Sequence, residues 1–215
     1  MLDRYAVKLI KAPLDYVAKH LDKAGLNANQ ITLSGFVLGL AAIPMLAFQH
    51  YDWALGLIIL NRIFDGLDGA LARRQGCSDF GGYLDIVCDF IFYSGVVLGF
   101  ALAAPEQNSI AANVLIWTFM GTGSSFLTFA IMAAKRDIEN TVYPHKSLYY
   151  LGGLTEGSET IALFLLFCIY PEHFPTLALG FAALCFITTL TRILAAKATF
   201  IDSPNQGPET PKAGD

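Results

Sequence analysis

The chain has 215 residues, 54% of them hydrophobic and 15% charged, with a net charge of −4 and a mean hydropathy of +0.50. A soluble domain ordinarily carries about 25% charged residues, so the excess apolar surface needs lipid to cover it; no nucleic-acid partner is expected, and the net charge says little because the two membrane faces count separately. The length suits about six membrane-crossing helices joined by short loops.

The first expected element is a surface helix over 5–23, within an N-terminal segment 1–25. Val7, Ile10, Leu14, Val17 and Leu21 form one apolar stripe, and Lys8, Lys11, Lys19 and Lys23 occupy the other faces. A basic amphipathic helix of this kind lies in the headgroup plane or docks on its own protein. Pro13 falls inside the stripe and is expected to bend or divide the helix. Asp3, Arg4, Lys8 and Lys11 leave no apolar stretch of the kind a cleavable signal peptide needs.

Six spans follow, at 31–48, 53–72, 82–104, 109–134, 151–170 and 174–198. The first and fourth contain no charge, the second turns polar at Asn61 and Arg62, and the fifth opens on Gly152, Gly153, Glu156 and Glu159. Each approaches the roughly 20 residues that cross the hydrocarbon. The expected architecture is therefore all-α, with one membrane domain over 1–201, its six transmembrane helices within 30–201, and a disordered tail over 202–215 that is rich in Pro, Gly and polar residues. The connections 49–52, 105–108 and 171–173 contain no Lys or Arg, so all 14 basic residues fall at the other face or in helix ends beside it. That asymmetry places both termini and that face in the cytoplasm.

Nothing in the chain reads as a Walker loop, a GxSxG elbow or an HExxH pair, and His20, His50, His145 and His173 stand alone. Cys77, Cys88, Cys168 and Cys185 show no CxxC spacing, which argues against zinc and for packing roles.

The chemistry is concentrated between Asn61 and Asp89. Asp65 and Asp68 are at i and i+3 and share a helix face, as Asp85 and Asp89 do at i and i+4. A short connection makes the two helices antiparallel neighbours, so the four carboxylates meet at the cytoplasmic ends. Crowded carboxylates in a partly dry place repel one another, and one or two divalent cations resolve the conflict. An all-oxygen ligand set favours Mg²⁺ or Mn²⁺ over Zn²⁺. Gly66, Gly69, Ala70 and Ala72 leave one helix surface nearly bare, open to a phosphate-rich ligand, and Arg73 points the same way with a fork that suits a pair of phosphate oxygens. The alternatives are structural salt bridges from Arg62, Arg73 and Arg74 to the acids, or a pathway for ions.

These residues resemble the signature of the CDP-alcohol phosphatidyltransferase family, D-x-x-D-G-x-x-A-R followed after seven or eight residues by G-x-x-x-D-x-x-x-D. Here it reads Asp65, Asp68, Gly69, Ala72 and Arg73, then Gly81, Asp85 and Asp89, with every position filled. The resemblance implies that Asp65, Asp68 and Asp85 ligate two metal ions with Asp89 completing the cluster. Asp89 would also be the base that takes the proton of the acceptor alcohol. Asp68, Gly69, Ala72 and Arg73 would line the cytidine diphosphate site, joined by Asn29 and Thr32. The implied reaction transfers a phosphatidyl group from CDP-diacylglycerol to an alcohol and releases CMP, in a bacterial inner-membrane protein of a family whose members are commonly homodimers.

For the acceptor, Lys135 and Arg136 close the fourth span, Lys146 lies in the following loop and Arg192 is inside the sixth. An arginine within a span faces a cavity or a partner. In branches of the family with phosphorylated acceptors, cations from these regions hold the phosphate, which favours glycerol 3-phosphate or an inositol phosphate. Arg192 has salt bridges to Glu156 or Glu159 as its alternative. Those two acids, at i and i+3, either bind a basic or hydroxylated acceptor or pair Lys135 and Arg192. The competing functions are an ion or metal transporter, which predicts acids deep in several helices, and a Mg²⁺-dependent intramembrane prenyltransferase, which predicts a second Asp-rich motif.

Overall fold

The computed structural model describes residues 3–136, 138 and 153–202. Seven α-helices follow one another: α1 Asp3–Lys23, α2 Ala28–Ala47, α3 Tyr51–Gln75, α4 Asp79–Ala103, α5 Pro105–Lys135, α6 Gly157–Ile169 and α7 Phe174–Lys197. A single 3₁₀ turn, Pro171–His173, leads into α7, and a π-helical turn, Ala198–Asp202, follows it. No strand occurs among the described residues, so the expected all-α class holds. Lys146, His145, residues 151–152 and the tail from 203 lie outside the described residues.

Local chemistry sets the helix boundaries. Asn27 and Gln30 cap α2 reciprocally, each side chain accepting from the other's backbone N–H at 2.9 and 3.0 Å, which satisfies two of the donors a helix start leaves open. Ser78 caps α4 by accepting from the Gly81 N–H at 3.0 Å. Between α3 and α4 the chain reverses at Gly76, whose φ of +99° lies where a side chain is strained.

Four helical stretches, Ala28–Ala47, Asp79–Ala103, Pro105–Lys135 and Pro171–Ile201, are long and apolar enough to cross a membrane. The other two expected spans are different. α3 carries its acids and arginines in its second half, and α6 has 13 residues where 151–170 was expected. α6 starts late because Glu156 and Glu159 form a reciprocal cap there: the Glu156 N–H donates to Glu159 Oε2 at 3.2 Å.

The main core lies between α2, α3, α4, α5, α6 and α7, with Phe92, Phe100, Phe164, Phe167 and Phe174 fully buried. Phe100 stacks on Phe174 at 4.9 Å, and Phe167 meets Phe174 edge-on at 4.6 Å, arrangements that aromatic quadrupoles favour. Glycines bring α2 and α4 together: a Cβ at Gly95 would lie 2.6 Å from Ile43 Cδ1, and one at Gly99 2.8 Å from Leu46 Cβ. Cys88, Cys168 and Cys185 are buried and Cys77 is exposed.

α1 packs on α3 through a second, smaller core of Leu14, Ala18, Leu21, Leu67, Ala70 and Leu71. It runs as one helix through Pro13, so the expected division there does not occur; the docked residues 14–21 hold the following turns in place. The buried line passes through Ala18, whereas Val17 of the expected stripe is 41% exposed. The side chains of Val7 and Ile10 lie outside the described residues.

Candidate functional site

The second half of α3 and the first half of α4 flank the turn at 76–78; α2 packs against both and brings them together, in place of the direct packing of α3 on α4 that the short connection led us to expect. Where the three meet, Thr32, Gly35, Asn61, Arg62, Asp65, Asp68, Asp85 and Asp89 line one small cleft. The i, i+3 and i, i+4 spacings therefore do bring all four aspartates together. Carboxylate oxygens of Asp65, Asp85 and Asp89 lie within 4.8 Å of one another.

Asp68 stands slightly apart from that trio. It is buried at 7% exposure, and its Oδ2 has no hydrogen-bond partner among the described residues. A buried carboxylate oxygen without a donor is costly unless something positive reaches it. Among the described residues, four carboxylates and one guanidinium line the cleft, so acids outnumber cations there. The clustered side chains Asp65, Asp85 and Asp89 offer carboxylate oxygens, with Cys88 also in the lining. These residues fit a divalent cation of the Mg²⁺ or Mn²⁺ type.

Arg62 is the cation within the ring. Its Nη2 donates to Asp89 Oδ1 at 2.8 Å, and its Nη1 is 3.6 Å from Asp65 Oδ1. Its Nε donates to Asn61 Oδ1 at 2.8 Å, while Asn61 Nδ2 donates to the Gly35 carbonyl of α2 at 2.9 Å. The guanidinium lies over the Phe92 ring at 5.0 Å, a cation–π contact. The Tyr93 hydroxyl donates to Asp89 Oδ2 at 3.1 Å. Salt bridging of the acids, an alternative raised by the sequence, is therefore real for Arg62 and accounts for Asp89 and Asp65. It does not extend to Arg74, which sits 3.7 Å from Asp22 of α1.

The bare helix surface needs correction. Its small residues divide over two faces of α3. Ala70 is 1% exposed beneath α1, and a Cβ at Gly66 would lie 2.8 Å from Leu14 Cδ1. Those two serve the docking of α1. Gly69 and Ala72 remain part-exposed, and a Cβ at Gly69 would meet only Arg73 Nη1, at 3.4 Å. The open strip is thus Gly69, Ala72 and the exposed Arg73. Thr32 lines the cleft from α2. Asn29, in the first turn of α2, reaches toward the start of α4, its Oδ1 3.2 Å from where a Gly81 Cβ would be.

Lys135, Arg136 and Arg192 do not line the cleft. Lys135 is exposed. Arg136 donates to the Phe200 carbonyl at 2.9 Å and lies over the Phe200 ring at 5.1 Å. Arg192 is 6% exposed and donates to the Thr122 carbonyl of α5 at 2.9 Å. Glu156 accepts from the Gly153 N–H at 3.2 Å, so both acids at this entrance serve the backbone of the α6 start. Asn61, Arg62 and Tyr93 were not among the expected site residues. Polarity inside an apolar run marked Asn61 and Arg62, and Tyr93 is one turn beyond Asp89.

The family model for CDP-alcohol phosphatidyltransferase matches residues 26–201. The chain is 53% identical over 199 residues to the inner membrane protein YnjF of Escherichia coli, covering 93% of this chain and 97% of that protein. It is 33% identical over 112 residues to the archaetidylinositol phosphate synthase of Pyrococcus horikoshii, covering 52% and 60%. Its fold is shared with the phosphatidylinositol phosphate synthase of Mycobacterium tuberculosis. With CDP-DAG bound, that structure gives a TM-score of 0.63 at 21% identity, over 86% of this chain and 93% of the other. In complex with manganese and citrate it gives 0.65 at 21% identity, over 85% and 88%.

Proposed function

Because the chain belongs to the CDP-alcohol phosphatidyltransferase family, we propose that it moves a phosphatidyl group from CDP-diacylglycerol to a phosphorylated alcohol and releases CMP. The observation that carries this reading is the cleft itself. Three carboxylates have oxygens within 4.8 Å of one another, beside a fourth, on Asp68, with a buried oxygen lacking any donor. The strip of Gly69, Ala72 and Arg73 continues along α3 beyond Asp65 and Asp68.

In this reading Asp65, Asp68, Asp85 and Asp89 hold two divalent ions, Mg²⁺ or Mn²⁺. Bound there, the ions neutralise the diphosphate and make CMP a better leaving group. Gly69 and Ala72 admit the diphosphate close to the α3 backbone, Arg73 pairs its oxygens, and Asn29 and Thr32 complete the nucleotide side. Asp89 takes the acceptor hydroxyl's proton. The oxygen so freed forms a bond to the phosphatidyl phosphorus as the bond from that phosphorus to the CMP oxygen breaks. A positioned base of this kind contributes roughly 10²–10⁴-fold.

The acceptor is read as glycerol 3-phosphate or an inositol phosphate, with Lys135, Arg136 and Arg192 holding its phosphate. The names of the Pyrococcus and Mycobacterium relatives favour the inositol phosphate. The same reading puts the protein in a bacterial inner membrane as a six-span homodimer, with both termini and the cleft cytoplasmic. Four helices of sufficient length and hydropathy and the name of the Escherichia coli relative support the membrane placement.

The test offers the purified protein CDP-diacylglycerol with Mg²⁺ or Mn²⁺ and a panel of inositol phosphate, glycerol 3-phosphate, serine and free inositol, and follows CMP. Release is expected with a phosphorylated acceptor. A CMP signal confined to neutral alcohols rejects the acceptor assignment, and none with any acceptor rejects the activity.

A further inference from the structure

Asp89 is held differently from the other aspartates of the cleft. Arg62 Nη2 donates to its Oδ1 at 2.8 Å and the Tyr93 hydroxyl to its Oδ2 at 3.1 Å, so each oxygen has a protein donor from a different side. The donors are themselves fixed. Arg62 is anchored through Nε to Asn61, which is anchored to the α2 backbone, and its plane rests near the Phe92 and Tyr93 rings at 5.0 and 5.7 Å. Arg62 Nη1 and the Tyr93 hydroxyl are 3.5 Å apart. A Cβ at Gly157, the first residue of α6, would lie 3.5 Å from that hydroxyl, so α6 backs the tyrosine.

Two consequences follow. A carboxylate gripped at both oxygens cannot swing about its Cβ–Cγ bond, and each oxygen keeps one further lone pair with a set direction. In addition, the same guanidinium lies 3.6 Å from Asp65 Oδ1. A cation pinned between Asp65 and Asp89 repels a divalent ion that must use those carboxylates. A ring selected only for tight metal binding would omit it.

We propose that Arg62 and Tyr93 are positioning residues for Asp89, and that Arg62 is a built-in cation that shares Asp65 and Asp89 with the bound metal, giving up metal affinity for a fixed orientation of Asp89. The proposal rests on the phosphatidyltransfer reading for its kinetic half; its metal-binding half stands apart from turnover.

The test uses the full chain in detergent with Arg62→Gln, Arg62→Lys and Tyr93→Phe. Mn²⁺ binding is followed by the electron paramagnetic resonance of the free ion without substrates, and CMP release is measured with both substrates varied. Arg62→Gln is expected to bind Mn²⁺ about threefold or more tighter while kcat falls about tenfold or more. Arg62→Lys, which keeps the charge but loses the fork, falls between the two. Tyr93→Phe lowers kcat several-fold, leaves KM for the donor unchanged and leaves Mn²⁺ affinity near that of the parent. Unchanged kcat in all three variants overturns the positioning role. Unchanged or weaker Mn²⁺ binding by Arg62→Gln overturns the shared cation, and so does weaker binding in step with a lower melting temperature in both Arg62 variants, the mark of a purely structural residue. Should the parent release no CMP with any acceptor, the phosphatidyltransfer reading fails by itself, and the Mn²⁺ titration still decides whether Arg62 competes with metal.

Discussion

Asp68 and Asp89 line the same cleft, yet one has a buried oxygen that nothing donates to and the other has a donor on each oxygen. That contrast suits a division of labour in which Asp68 waits for a cation and Asp89 is oriented for a proton. Asp89→Asn keeps the shape and removes the basicity. It is expected to lower CMP release about 100-fold or more, the scale of a lost general base, while binding of CDP-diacylglycerol measured by calorimetry persists. Parent-like turnover in this variant rejects the base assignment. The four aspartates were legible from the sequence because spacing within a helix fixes a common face. The grip on Asp89 was not: the Arg62 fork reaches it across 27 positions of chain and Asn61 reaches Gly35 across 26, and such partners depend on how helices rotate against each other. Gly66 shows the same limit. Its lack of a side chain was visible, but whether the space belonged to a ligand or to Leu14 was decided by where α1 docks.

At the scale of elements, the cleft is shaped by close approach of α2 to its neighbours. A Cβ at Gly39 would lie 2.7 Å from Phe92 Cδ2 and 2.9 Å from Asn61 Nδ2. Gly39→Ala therefore has to push aside a buried ring and the amide that anchors Arg62. Overpacking of this sort costs about 1–3 kcal/mol, and a lower melting temperature in detergent is expected together with reduced turnover. A variant as stable and as active as the parent would show that α2 moves away freely. Helix existence was well signalled by composition and hydropathy. The extent of α6 was not, because a run of apolar residues does not show that Glu156 and Glu159 turn back to cap its first turn. Capping of this kind depends on side-chain geometry at one residue, which hydropathy does not register.

For the whole molecule, orientation in the bilayer can be read chemically, because the chain carries its own probe. Cys77, in the turn between α3 and α4, is exposed, whereas Cys88, Cys168 and Cys185 are buried. If the cleft faces the cytoplasm, a membrane-impermeant maleimide labels Cys77 in inside-out vesicles and not in right-side-out ones. Labelling in right-side-out vesicles alone inverts the topology. Single labelling at that site also gives a reporter next to the acidic ring.

Asn61 joins α3 to α2 through one amide, Nδ2 on the Gly35 carbonyl and Oδ1 on Arg62. On an α-helix a slip of one residue is an advance of about 1.5 Å and a rotation of about 100°. Such a slip would carry Asp65 and Asp68 off the face that meets Asp85 and Asp89. The seam is also close-fitting, since a Cβ at Gly35 would lie 2.7 Å from Phe64 Cβ, and a donor and acceptor at fixed separation accept one setting. Asn61 thus works as an indexing pin beside that fit, holding the alignment that assembles the four carboxylates.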